Sequence, residues 1–289
     1  MPTPVLFAGL VDDAGLFPPA QLPMAEALAR HRADQAAGSE VLSHRFVCPA
    51  SRLEELVACL RPDDRLALSL IVSPLDSGAI EAAAGRVGEE PRLELAGIEG
   101  VLAEGAALPV ASLPAGVPVF AELPVTGRWQ SGLEAVVATG GRSGVKIRCG
   151  GMTPELFPSA AQLADVLCAC AAAAVACKAT AGLHHAVRYR DEQTGFEHHG
   201  FLNLLLAAAR AVSGASPGEV AAVLCSSDAS ALVREAIEMP AARAERARAL
   251  LVSYGSCSTS EPVEDLVELG CLDERVPGAA GTAGAPGRR

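Results

Sequence analysis

The chain has 289 residues, half of them hydrophobic and a fifth charged, with a net charge of −11 and 3% aromatics. That is enough apolar material for one large buried core. The acidic balance and the shortage of rings argue against a nucleic acid or an anionic membrane surface as partner, because both need a basic footprint or stacking faces.

In chain order, the first predicted strand is VLFAGLV (5–11), and it runs into the paired carboxylates Asp12 and Asp13 and a rigid turn, DDAGLFPP. A helix is expected in PMAEALARHRADQAAG, a strand in SHRFVCP (43–49), a helix in SRLEELVACL and a strand in LALSLIVS (66–73). RLELAGIE (92–99) is the fourth strand; the fourth unit, where VLAEGAALPVASLPAG is loop-like, and the seventh are the weakest. Then come VPVFAELP (117–124), SGLEAVVATGG as a helix, SGVKIRCG (143–150), SAAQLADVLCACAA as a helix, and AVACKATAG (174–182). The eighth strand is LLVSYGSCS (250–258). Several helices open on Ser or Pro and close on Gly, the expected polarity of caps.

Eight strands alternating with helices predict a (β/α)8 barrel of the TIM type over residues 1–275. An open doubly wound sheet is the competitor, but no GxGxxG follows the first strand. Residues 183–249 are too many for one crossover and are expected to be a helical insertion after strand seven, and the Gly/Pro/Ala-rich 276–289 a disordered tail. No stretch reaches about 18 uninterrupted apolar residues, and the start MPTPVLFAGLVDD lacks the basic onset of a signal peptide. Nine cysteines, scattered through apolar runs without zinc-finger spacing, fit reduced thiols in a cytoplasmic protein.

Arginine occurs 21 times and lysine twice, at Lys146 in VKIRC and Lys178 in CKATA, in strands six and seven. Strand alternation groups Lys146 with Arg148, and Lys178 with Thr180, on faces opposite the apolar residues. If those apolar residues pack under the helices, both lysines enter the barrel, whose active sites lie at the strands' C-terminal ends. Arginine cannot supply a free amine, whereas a desolvated lysine beside another cation can lose its proton and attack a carbonyl. The plainer reading is an ion pair, with Glu122 of FAELP or Glu94 neutralising one lysine.

VKIRCGG, CKATAGL and the turn YGSCSTS resemble the last three strand ends of deoxyribose-phosphate aldolase and related class I aldolases. The resemblance implies that Lys146 forms the Schiff base, that Lys178 lowers its pKa, and that Gly182, Gly255 and Ser256 bind a substrate phosphate. Arg148 and Cys149 replace the small hydroxyl-bearing residues that follow the first lysine in that family. The family's catalytic Asp has no clear match; Glu122 is the substitute, and the His-rich insertion is foreign.

HHAVRYRDEQTGFEHHG places two His-His pairs just after strand seven. Adjacent residues on an extended segment point apart, so each pair is expected to offer one inward imidazole. His184 or His185 is the candidate proton carrier. Alternatively His184, His185, His198 and His199, with Asp12 or Asp13, form a site for a divalent metal such as Zn²⁺, although no HxH or HExxH is present. They could equally cap the next helix or bond loop carbonyls.

Asp12 or Asp13 could hold a substrate amine, a metal or Lys178. Gly150 and Gly151 suit close backbone approach to a ligand. The strand-eight turn, with Ser258, runs into an acidic helix whose start could hold a phosphate, or is simply capped by Ser260. Cys257 has no adjacent base in the sequence. The leading expectation is a cofactor-free Schiff-base lyase acting on a small carbonyl substrate, with or without phosphate. The alternatives are a metal-dependent hydrolase or lyase, or a non-catalytic binding scaffold. Homo-oligomerisation is left open.

Overall fold

The computed structural model describes residues 4–125 and 127–273. Eight parallel strands close into a barrel: β1 (Val11–Asp13), β2 (Leu42–Pro49), β3 (Leu66–Ile71), β4 (Leu93–Val101), β5 (Val119–Glu122), β6 (Ser143–Arg148), β7 (Cys177–Thr180) and β10 (Leu251–Ser256). They follow one another around the circle in chain order, and β10 pairs with both β7 and β1 to close it. The chain is a (β/α)8 TIM-like barrel.

Apolar residues on the outer strand faces pack under the helices. Val145 and Ile147 of β6 and Cys177 and Ala179 of β7 have no exposed surface. That burial forces the alternate residues Lys146 and Lys178 inward. The pairing register sets Glu122 beside Lys146 and Lys146 beside Lys178, so a charged row crosses three adjacent strands.

The helices are α1 (Met24–Ala37), α2 (Leu53–Cys59), α3 (Ser77–Gly88), α4 (Trp129–Val137) and α5 (Ala160–Ala172) before the insertion, and α10 (Glu261–Glu268) after β10. Between β4 and β5 there is a single 3-10 turn, Val110–Ser112, and no α-helix, as the loop-like composition predicts. The first strand is shorter and later than the run 5–11. Residues 5–9 form a turn, with Gly9 at φ +58°, and only Val11–Asp13 enter the barrel.

Residues 183–249 begin with an antiparallel hairpin, β8 (Tyr189–Arg190) and β9 (Glu197–His198). Three helices follow, α6 (Phe201–Ala211), α7 (Pro217–Cys225) and α8 (Ala229–Ile237), and α9 (Ala241–Leu250) leads into β10. Helix α6 is apolar nearly all round and packs against α5, α7 and α9. Buried Asn203 on α6 ties the assembly to the hairpin, accepting from Arg188 N at 2.8 Å while donating to Val223 O and Ser226 O at 2.8 Å. The tail expected at 276–289 lies outside the described residues.

Helix α5 starts with a capping box. Ser159 Oγ accepts from Gln162 N, and Gln162 Oε1 accepts from Ser159 N. Ser159→Ala is expected to lower stability by about 1 kcal/mol, read as a lower urea midpoint with an unchanged slope.

Candidate active site

At the C-terminal mouth of the barrel the buried charges form one chain. Lys178 Nζ meets Asp12 Oδ2 at 2.6 Å and also pairs with Glu99 Oε1. The other oxygen of Glu99, Oε2, lies 3.1 Å from Lys146 Nζ, which is in turn 3.2 Å from Glu122 Oε2. Arg148 Nε then donates to Glu122 Oε1 at 2.8 Å. At the far end Asp12 accepts from Arg45 Nε at 2.8 Å, from Ser253 Oγ at 2.8 Å and from Ser43 Oγ. Asp12, Glu99, Lys146 and Lys178 each expose 2% or less.

Glu99 is the residue that sequence reasoning missed. Glu94, the carboxylate weighed there, is exposed. Ile98 packs outward with no exposed surface, so its neighbour Glu99 faces in, next to Ser69, whose hydroxyl donates to it. The usable signal was position: Glu99 lies near the C-terminal end of β4, as Glu122 does on β5.

Burial disfavours the charged forms of Asp12, Glu99, Glu122 and Lys178, yet the pairing prevails. Glu99 is held well below the usual carboxylate range by Lys178 and Lys146, and Asp12 below it by Lys178 and Arg45. Glu122 is lowered by Lys146 and Arg148. Lys178, desolvated but gripped by Asp12 and Glu99, has its pKa raised. It is therefore a fixed cation. The two amines do not face each other as bare like charges, because Glu99 stands between them.

Glu99, Lys146, Lys178 and Arg148 line a cavity of about 230 Å³. Thr180, Gly182, Gly255, Ser256, Cys257, His184 and His198 line the side toward β7 and β10, and Phe17, Pro18, Ile71 and Leu156 supply apolar wall. This is smaller than the roughly 300–1,000 Å³ of drug-sized sites and suits a small molecule. Ser256 Oγ is buried and has no hydrogen-bond partner among the described residues.

The remaining expected site residues divide. Asp12 is sealed behind Lys178 and does not line the cavity. Asp13 faces away from it: it pairs with Arg30 and His31 of α1 and accepts from Gly15 N at 3.0 Å, fastening helix to strand. Glu122 backs Lys146 but belongs to a neighbouring groove rather than to the cavity. Gly151 lines the cavity, whereas Gly150 makes its close approach to Gly182, where an added Cβ would meet the Gly182 Cα at 2.7 Å. Gly182 itself sits at φ +71°. Ser258, not Ser260, supplies the side-chain oxygen that accepts from Glu261 N at the start of α10, so it serves the helix rather than a ligand.

One imidazole of each His-His pair reaches the cavity, His184 and His198. His185 is half exposed and turned to Asp265 on α10 at 3.3 Å. His199 is buried, donating Nε2–H to Pro158 O at 2.7 Å. The four histidines therefore do not converge as a ligand set, and among the described residues no group of three or more His, Cys, Asp or Glu side chains is arranged to hold a metal ion. His184 Nδ1 lies 3.9 Å from Cys257 Sγ, so the thiol does have an imidazole neighbour from a distant segment. Burial raises the thiol pKa and lowers that of His184, which keeps this a neutral pair.

Glu99→Gln leaves two buried ammoniums short of a counter-charge and is expected to cost about 3–5 kcal/mol at pH 7. The folded-state pKa values of Asp12 and Glu99 lie below their ordinary 3.8 and 4.5, so their contribution is complete above about pH 5 and is lost as pH falls through the depressed values. That of Lys178 lies above 10.5, so its contribution is lost as pH rises through the raised value. Urea unfolding across pH should therefore show the wild-type advantage widest between about pH 5 and 10 and shrinking outside that range.

Neither a protein-family model, nor a curated protein, nor a solved structure matches the chain.

Proposed function

We propose that the chain is a lyase of the Schiff-base aldolase type, making or breaking a C–C bond next to the carbonyl of a small substrate. The observation that carries this reading is the Glu99 carboxylate spanning two scarce, buried amines at the base of one cavity.

Lys146 is the nucleophile. Its ammonium has two carboxylates within 3.2 Å; pairing keeps all three charged at rest, and the proton leaves to Glu122, the less buried of the two, as the substrate carbonyl enters. The freed lone pair attacks the substrate carbonyl, and loss of water from the carbinolamine leaves an iminium. Glu99 and Glu122 then face a cation at the position where they already held one, so little reorganisation accompanies the step. Lys178, tied to Asp12 and Glu99, remains the charged partner. The departure from the expected scheme is that Lys178 acts through an intervening carboxylate rather than by direct repulsion.

The far side of the cavity holds the rest of the substrate. Ser256 offers an unpartnered hydroxyl beside the Gly182 and Gly255 turns, and these suit a polar or phosphate terminus. Of the expected proton carriers, His184 lines the cavity and His185 does not.

Incubating the full chain with a panel of short aldehydes and ketones and reducing with borohydride tests the reading. Intact mass should rise by one reduced imine, peptide mapping should place it on Lys146, and Lys146→Met should abolish it. Lys178→Met should retain labelling but slow it. A wild-type chain that gains no adduct, or gains one only at its N-terminal amine, overturns the proposal.

A further inference from the structure

On the cavity wall, His198 is a polar group held in one orientation. It comes from β9, 18 residues beyond the end of the strand that carries Lys178, and reaches back over the turn that follows β7. Its Nδ1 lies 3.1 Å from Gly182 O. A carbonyl can only accept, so Nδ1 carries the hydrogen of that bond, and in the neutral ring Nε2 holds the lone pair. The ring plane is fixed on both sides: Tyr189 stacks on it at 4.8 Å and 22°, and Phe157 meets it edge-on at 4.8 Å and 71°. No protein group among the described residues bonds Nε2, and the residue lines the same small cavity as Lys146 and Lys178.

An imidazole oriented by a backbone carbonyl through one nitrogen and left open at the other is arranged to accept a proton. We propose that His198 takes up the proton of the substrate hydroxyl whose oxygen becomes the new carbonyl. The proposal rests on the Schiff-base reading. With the substrate held as an iminium on Lys146, the hydroxyl O–H bond breaks and its proton passes to Nε2. The oxygen's electron pair forms the new C=O, the C–C bond breaks, and its electron pair moves into the iminium to give a neutral enamine. In the synthetic direction the same imidazolium returns the proton to the nascent alkoxide. His184, whose ring lies 6.0 Å from that of His198, is left to contact the distal part of the substrate.

Two substitutions separate this role from a structural one. His198→Asn keeps a donor where Nδ1 reaches Gly182 but has nothing at the Nε2 position. His198→Gln places an amide at the Nε2 position that can hydrogen-bond a hydroxyl but cannot take its proton. The probes are 3-hydroxybutanal and butanal, each trapped with borohydride, together with acetaldehyde release from 3-hydroxybutanal. Wild type should form the Lys146 adduct with both probes and release acetaldehyde from 3-hydroxybutanal. Both variants should still form the Lys146 adduct with butanal, and both should lose roughly 100-fold or more in acetaldehyde release. His198→Gln should lose it in kcat with KM nearly unchanged, and His198→Asn in both.

If wild type forms the Lys146 adducts but releases no acetaldehyde, or if His198→Asn cleaves 3-hydroxybutanal at the wild-type rate, the assignment of His198 is overturned while the Schiff base stands. If wild type traps neither probe, the lysine chemistry fails and this assignment falls with it.

Discussion

A single carboxylate between two buried ammoniums organises the mouth of this barrel. Burying an isolated charge costs several kcal/mol even after relaxation, and each of Asp12, Glu99, Lys146 and Lys178 is almost wholly withdrawn from water. The cost is tolerable only because each is paired with an opposite charge, and Glu99 is the one member that holds both amines. Remove it and the chain divides into two pairs, Asp12–Lys178 and Lys146–Glu122, each with weaker compensation. Hydrophobic residues of similar volume would fill the same space at lower electrostatic cost, so stability alone does not account for the arrangement.

The fold supplies this arrangement through strand adjacency. Residues in register on neighbouring parallel strands point to the same side, so Glu122, Lys146 and Lys178 form a row without any loop having to be shaped for it. Loops and insertions then finish the cavity. The turn after β7 brings Gly182 against Gly150, where neither position has room for a side chain. The segment between β7 and α6 delivers His184, from the turn after β7, and His198, from the hairpin, to the wall. It is fastened from outside, because Asp265 of α10 accepts from Ala186 N at 2.6 Å and Asn203 accepts from Arg188 N. The rigid lysine end and the inserted histidine end therefore have separate structural origins, as expected when function is grafted onto a common scaffold.

Local pattern was sufficient for the barrel itself. The β-rich runs fall at the strand positions, and the one that misplaced its element, residues 5–11, did so because Gly9 turns the backbone before the strand begins. The inward course of Lys146 and Lys178 was also legible, since alternation with Val145, Ile147, Cys177 and Ala179 leaves no other face for them. Asp13 was not separable from Asp12 on sequence grounds, because adjacent strand residues face opposite ways and nothing local says which way is in.

Periodicity is a property of neighbours along the chain, and so the amino-acid sequence by itself determined the βα rhythm, the scarcity of lysine and the side of the strand on which each lysine stands. Which carboxylates meet those lysines is a property of neighbours across the barrel. Glu99 reaches Lys178 over 79 positions of chain, and His184 reaches Cys257 over 73. Only closure of the sheet, with β10 seated between β7 and β1, brings such partners within hydrogen-bond distance, because that contact depends on strand tilt and register rather than on any local spacing.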